Sequence, residues 1–223
     1  MKPGTTTGTY TLDEVSVTLT VQLGNSVPDR NSIHFVKSLT NAAGQNLILN
    51  VCPNNADTIM YKGQLTEAPN VYAYMVGSND LFKVQAPNNT YKDRLNVMIH
   101  GKQHCVSLYQ FSDKPLEVMV NLKRYELIIN GTNFSDYPLN GKYTYTGRET
   151  SATIALWSGY GGKNLENRPA KAKFEYLIIT NDNDGPTGVY LPALDPDGVP
   201  CVYDLVSKQY YKTTHSTALL YEE

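Results

Sequence analysis

The chain has 223 residues and a formal net charge of −2, with 19 Lys and Arg dispersed among 21 Asp and Glu. A balance this close to neutral, with no basic run, excludes recognition of nucleic acid through its phosphates, and no apolar stretch approaches the ~20 residues that cross a bilayer as a helix. The three cysteines, Cys52, Cys105 and Cys201, are too few and too scattered for a disulfide framework or a four-ligand zinc site, and are expected as buried free thiols. Tyrosine is over-used, 17 against 5 Phe and a single Trp. Its ring is apolar and its hydroxyl wants a partner, which suits half-buried strand faces and contact surfaces.

Residues 1–12 are rich in Gly and Thr and are expected as an extended arm, ordered where a neighbouring subunit holds it; Thr5, Thr6, Thr7 and Tyr10 are its candidate assembly contacts. Glu14 to Leu23 is the cleanest strand: Val15, Val17, Leu19, Val21 and Leu23 alternate with Ser, Thr, Gln and Glu. Further strands are expected at Ser32–Lys37, Asn46–Val51, Val71–Val76 and Leu81–Gln85. Arg94–His100 and Gln103–Phe111 read as a hairpin about Gly101-Lys102. Leu116–Leu122, Arg124–Asn130 and Ala152–Trp157 follow. In Lys173–Lys212, Phe174, Tyr176 and Ile178 are expected to share one face of a strand and Glu175, Leu177 and Ile179 the other, both covered. Asn181 to Pro186 and Asp195-Pro196-Asp197-Gly198 then punctuate a run of short strands.

Helical periodicity is nearly absent, and strand-length runs recur every ~8–12 residues between turn signals. This spacing predicts an all-β fold, a two-sheet antiparallel β-sandwich forming one domain over residues 13–223, with the arm before it. Chemistry is sparse. A glycosidase needs two acids flanking the scissile bond, whereas the carboxylates here are scattered without a Glu-x-Asp-x-x-Glu pattern. Cys and His form no nucleophile signature. His100 and His104 straddle a hairpin turn, but no third ligand follows at metal spacing. The oxygens of Asn181 to Gly185 invite calcium, yet Leu191 stands where the EF-hand template needs Glu, so turn chemistry is favoured over any cofactor.

Aromatic residues beside the Gly-rich loop Gly159 to Asn164 give the best candidate for a sugar contact. Trp157, Tyr160, Tyr143 and Tyr145 would stack on rings, while Arg148, Lys163 and Asn164 would bond hydroxyls. The plainer alternative makes Trp157 a core residue at a strand end.

The segment PALDPDGVPCVYDLVSKQYY resembles the closing stretch of laminin-G-like/concanavalin-A-like domains common in phage virion proteins and gut-bacterial surface proteins. The likeness is carried by Phe174 to Ile179, Pro192, Asp195, Pro196, Gly198, Tyr203, Asp204, Tyr210 and Tyr211. LEVMVNLKRYELIINGT and ATIALWSG resemble two earlier strands of that fold. The resemblance implies a jelly-roll sandwich that adheres rather than cleaves. MKPGTTTGTYTLDE has no secretory hydrophobic core, which favours a virion component, such as a capsid-decoration, head-fibre or tail protein, docking on other virion proteins in an oligomeric assembly. The alternative is a carbohydrate-binding module on a bacterial cell surface, its ligand a cell-surface polysaccharide. A glycoside hydrolase is the remaining possibility.

Overall fold

The computed structural model describes residues 5–12, 15–22, 33–41, 44–54, 57–67, 73–78, 81–86, 94–107, 114–134, 153–161, 164–166, 168–181 and 185–223. Of these, 5–12, 15–22, 102, 107, 160, 161 and 164–166 are described by backbone path only. Two compact units emerge, Met1–His34 and Phe35–Glu223.

In the first unit, β1 (Thr5–Leu12) and β2 (Val15–Gln22) form a two-stranded antiparallel sheet, with Thr5 opposite Gln22 and Leu12 opposite Val15. The strand expected at Glu14–Leu23 is present, but its partner is the segment expected to be a free arm, which places Thr5, Thr6, Thr7 and Tyr10 on a hairpin strand. The boundary between compact units accordingly falls after His34 rather than after Leu12. Two adjacent β-branched segments pair locally because closing a short loop costs far less entropy than joining a distant sheet.

After the hairpin come β3 (His34–Phe35), β4 (Ser38–Thr40), β5 (Leu47–Ile48), β6 (Asp57–Leu65), β7 (Ala73–Gly77) and β8 (Phe82–Ala86). Next are β9 (Arg94–Ile99), β10 (Lys102–Ser107), β11 (Leu116–Asn121), β12 (Glu126–Ile129) and β13 (Thr132–Asn133). Then come β14 (Ala155–Leu156), β15 (Gly159–Gly161), β16 (Asn164–Glu166) and β17 (Ala172–Asn181). The set ends with β18 (Gly185–Leu194), β19 (Pro200–Asp204), β20 (Gln209–Tyr211) and β21 (Leu220–Glu222). No helix occurs among the described residues.

Phe35–Glu223 is the predicted antiparallel β-sandwich. One sheet runs β10-β9-β8-β7-β14-β5, and the larger runs β13-β12-β11-β6-β17-β18-β19-β20. Along the first residues of β17, β4 takes the flank that β18 occupies further on, and β21 pairs with β4. Between the sheets Ile59, Tyr61, Val118, Val120, Phe174, Leu177 and Ile179 meet Phe82, Val84, Leu95, Val97, Ile99 and Trp157. β6 and β17 lie side by side at the centre of the larger sheet.

The sequence reading did not assign β6 to a strand. Its core face includes Ile59, Tyr61 and Gly63, and the other face Thr58, Met60, Lys62 and Gln64, so its apolar run is confined to Ile59-Met60-Tyr61 and only weakly announces it. A Cβ at Gly63 would collide with the Tyr61 hydroxyl and the Lys173 carbonyl. The tyrosine thus lies back over the glycine and fills the space a side chain would take.

β17 departs from simple alternation as well. Its register against β6 shifts between Phe174 and Tyr176. The extra residue of this bulge turns the strand over. Phe174, Leu177 and Ile179 therefore face the core, while Tyr176 and Ile178 lie half-buried on the outer face. The expected pairing of Phe174 with Tyr176 and Ile178 on one face is corrected accordingly, and the outer face is only partly covered.

The β9–β10 turn also differs by one residue. Ile99 pairs with Lys102, so the two-residue loop is His100-Gly101, both at positive φ (50° and 76°). Such a turn follows the right-handed twist of the strands, which the expected Gly101-Lys102 loop would not provide at this register. The turn places His100 Nε2–H to donate to the Leu122 carbonyl (2.8 Å). His104 faces inward with Val97, and both imidazoles pack on Tyr125, at ring separations of 5.9 and 5.7 Å. The two histidines expected to approach one another do converge, around an aromatic ring.

Burial holds both imidazoles below their ordinary value of 6.5, with the Leu122 bond opposing the shift at His100. Protonation therefore favours the unfolded chain: stability is full above about pH 6.5 and is lost as pH falls below it. His104→Phe is expected to flatten the decline in Tm between about pH 6.5 and pH 5, measured by thermal melts across that range. A decline equally steep in the variant would remove His104 from the acid response.

Candidate functional site

The Asp and Asn residues of the turns act first as backbone pins. Asp204 Oδ1 accepts from the N–H groups of Val189 and Val206 (3.0 Å each), and Oδ2 accepts from Ser207 N–H (3.1 Å). Asp195 Oδ1 accepts from the N–H groups of Asp197 (2.9 Å) and Val199 (2.7 Å), closing the Asp-Pro-Asp-Gly turn, and its other oxygen ion-pairs with Lys212. Asn121 caps its turn through Arg124 N–H (2.8 Å) and donates to Thr58 Oγ1 (3.0 Å). At the turn once considered for calcium, the Asn181 amide donates to Asp57 Oδ1 (3.1 Å), doing with an N–H what a cation would do with charge. Desolvation pushes the Asp57 carboxyl above its usual range, partly opposed by Asn54 N–H and Asn181. Among the described residues no three His, Cys, Asp or Glu gather as a metal site.

Thiol chemistry is equally muted. Cys201 is buried, its Sγ–H donating to the Ala193 carbonyl (3.4 Å), and burial pushes the thiol up to about 12, far from a working nucleophile. Cys52 and Cys105 are exposed rather than buried as expected, since each falls on an outward position.

Trp157 is fully buried, with a relative exposure of 0%. Its Nε1–H donates to the Ala172 carbonyl (2.9 Å), its ring stands edge-on to Phe174 at 6.3 Å, and its φ is 54°. The indole is a core element, and neither of its faces is offered to a sugar; this corrects the stacking role considered from sequence. The chain then emerges as the ribbon β15–β16, which carries Tyr160 opposite Leu165 and Asn164 opposite Gly161. Gly159 backs onto the Tyr74 ring on the outer face of the six-stranded sheet, where Lys83 Nζ lies 5.7 Å from that ring. On the same face Asn96 is 2% exposed, and its buried Oδ1 has no hydrogen-bond partner among the described residues. Tyr143, Tyr145, Arg148 and Lys163 lie outside the described residues.

Accessible aromatic surface gathers elsewhere. Tyr190, Leu194 and Val202 of β18 and β19 point into the core, so alternation turns Leu191 and Tyr203 to the outer face of the larger sheet. Leu191 pairs with Tyr203, and Tyr203 with Tyr210 of β20. The rings of Tyr203 and Tyr210 are 4.8 Å apart, and Phe35 stands edge-on to Tyr203 at 6.2 Å. Phe35 reaches this place because Val36 N–H donates to Pro192 O (3.1 Å), laying the chain along β18. Tyr203 is buried beneath, Tyr210 is half-buried, and Phe35 is 41% exposed.

At the margin of this platform stands the Lys212–Asp195 ion pair. The Lys212 hydrogen bond holds the Asp195 carboxyl below its usual range, and Asp195 in turn raises the lysine. Both phenols are raised as well, Tyr203 and Tyr210 chiefly by desolvation, so they stay protonated at neutral pH. The arrangement offers apolar ring faces bordered by one cation, held by a buried carboxylate, and by neutral hydroxyls. Such a combination suits amphipathic rings, and its carboxylate is held ionised by a lysine.

Sequence reasoning missed Phe35 as part of this site, because its partners lie about 170 residues further on. The signal for Tyr203 and Tyr210 was present in the excess of tyrosine, but it did not say which rings stay accessible.

No family model matches the chain, and no curated protein matches it. Among solved structures it is similar to a Bacteroides ovatus ATCC 8483 protein described as a "putative carbohydrate binding protein", with 10% sequence identity and a TM-score of 0.52 over 93% of this chain and 67% of that one. At that identity the likeness is one of fold, and the shared fold is the all-β sandwich that the alternation predicts.

Proposed function

We propose that this protein is a non-enzymatic adhesion protein that binds glycans, and that a sugar ring docks on the platform made by Phe35 and Tyr210 over Tyr203. The observation that carries this reading is the 41% exposed Phe35 ring braced edge-on against a buried tyrosine. An exposed aromatic held in place by packing loses little entropy on binding, and its face suits the C–H face of a pyranose. Lys212 would then bond sugar hydroxyls at the rim, held in place by the buried Asp195 carboxylate. No metal or cofactor is required. Likeness of fold to a protein described as carbohydrate-binding supports the reading, although one architecture hosts many functions and the argument rests on the site.

A glycan array and titration calorimetry test it. Phe35→Ala and Tyr210→Ala are each expected to weaken binding about tenfold, in line with the ~1–2 kcal/mol carried by a single aromatic contact. An array without any bound glycan, or equal affinity in Phe35→Ala, would sink the proposal. Tyr160→Ala is the companion variant: loss there with Phe35→Ala intact would move the sugar to the β15–β16 ribbon and favour the contact set read from the sequence, Tyr143, Tyr145, Arg148, Lys163 and Asn164.

As to setting, the closing stretch resembles domains of phage virion proteins and of gut-bacterial surface proteins alike, so the proposed settings are a virion component that docks on other virion proteins and, as the alternative, a bacterial cell-surface protein. Neighbouring genes separate the two: capsid, portal or tail genes support the virion, and polysaccharide-utilisation genes support the cell surface.

A further inference from the structure

β10 is the outermost strand of the six-stranded sheet, and among the described residues its one ladder is with β9. Gln103 and Cys105 face outward and are exposed, so His104 and Val106, 3% and 4% exposed, are the described side chains by which β10 enters the core. His104 holds its place by packing alone. Neither of its ring nitrogens has a hydrogen-bond partner, and the ring rests on Tyr125 beside Val97. Next to it the two sheets are clasped together: the Tyr125 hydroxyl donates to the Ile99 carbonyl (2.9 Å), and His100 Nε2–H donates to the Leu122 carbonyl (2.8 Å). Tyr125 and His100 both hold positive φ, 61° and 50°, an uncommon backbone region for a residue with a Cβ, so the clasp carries strain as well as bonds.

We propose that the β9–β10 edge is an acid-released latch: protonation of His104 detaches β10 before the sandwich as a whole unfolds. An imidazolium at this place has no acceptor for its N–H groups and no counter-charge. The titratable groups that face it are His100, across the hairpin, and Tyr125, and no carboxylate is among them. Charged residues on the elements packed around it point elsewhere. Lys123 and Arg124 of the β11–β12 turn are exposed, as is Arg94 at the far end of β9; Glu126 alternates with the core residue Leu127, and Lys83 lies on the outer face. Burial opposes protonation of both imidazoles in the closed fold, and a released strand returns them to water, so the open form binds the proton more tightly. Opening is therefore suppressed above about pH 6.5 and promoted below it. An edge strand can respond alone because it gives up one ladder, whereas β6 and β17 are paired on both sides. Its release leaves the β9 backbone as a bare edge, of the kind that accepts an added strand. The inference stands independently of sugar binding.

Native-state hydrogen exchange of the full chain is the test, read by mass spectrometry at pH 7.5 and pH 5.0 as protection factors corrected for intrinsic exchange. In wild type the β10 amides are expected to lose protection by about tenfold or more at pH 5.0, while those of β6 and β17 keep theirs. His104→Phe, which keeps a ring on Tyr125, and His104→Gln, which keeps a polar side chain, cannot titrate, and each is expected to abolish the loss. His215→Gln, at an exposed position, should respond as wild type does. Equal β10 protection at the two pH values in wild type overturns the proposal. So does a loss that persists in either His104 variant or disappears in His215→Gln. A loss shared equally by β6 and β17 also overturns it, since that is acid unfolding of the whole sandwich rather than release of one strand. Phe35→Ala should keep the wild-type response, which separates this outcome from the glycan experiment.

Discussion

Trp157→Ala is expected to lower stability by about 3–5 kcal/mol, because a fully buried aromatic leaves a cavity that the surrounding sheets close only in part. The unfolding temperature should drop by roughly 10–15 °C for a unit of this size. Two losses combine: the edge-on contact with Phe174 at 6.3 Å, and the Nε1–H bond to the Ala172 carbonyl at 2.9 Å. Trp157→Phe separates them. It keeps a ring against Phe174 and leaves the Ala172 carbonyl unpaired, for an expected cost of about 1–3 kcal/mol. Glycan affinity, measured below the lowered melting temperature, should be unchanged in Trp157→Phe, whereas Phe35→Ala should lose affinity with little change in Tm. A Trp157→Ala protein that melts like wild type would contradict a core placement.

The second large effect is at Asp204. Its carboxylate is the acceptor for three backbone N–H groups, those of Val189, Val206 and Ser207, and the residue is 2% exposed. Asp204→Ala leaves those donors without their acceptor, at an expected cost of about 3–5 kcal/mol in urea unfolding. Asp204→Asn keeps one carbonyl oxygen for Val189 and Val206 and forfeits the Ser207 bond, so it should cost about 1–2 kcal/mol. Equal effects for the two substitutions would show that charge rather than acceptor geometry matters. The Tyr-Asp pair and the Asp-Pro-x-Gly turn that carry the family resemblance are therefore explained by folding: each aspartate stands where a strand ends and backbone donors need an oxygen.

Alternation in the amino-acid sequence by itself determined the class of fold. Val15 to Val21 could only be a strand, the closing stretch only a series of short ones, and scattered carboxylates argued against paired-acid catalysis. Period-two alternation is a local property, so it survives without knowledge of partners. The tertiary structure alone decided three things. β6 became the central strand because Tyr61 folds over Gly63 and β11 and β17 satisfy its backbone on both sides, none of which an apolar count detects. One inserted residue in β17 exchanged the faces of Tyr176 and Ile178, and nothing in the side chains announces a bulge. Which aromatics meet solvent was likewise undecidable from sequence. Trp157 and Phe35 are both aromatic residues on or beside short strands, yet one is sealed between two sheets and the other stands on the outside of one. Burial is set by what packs against a residue from far along the chain, and no local pattern records that.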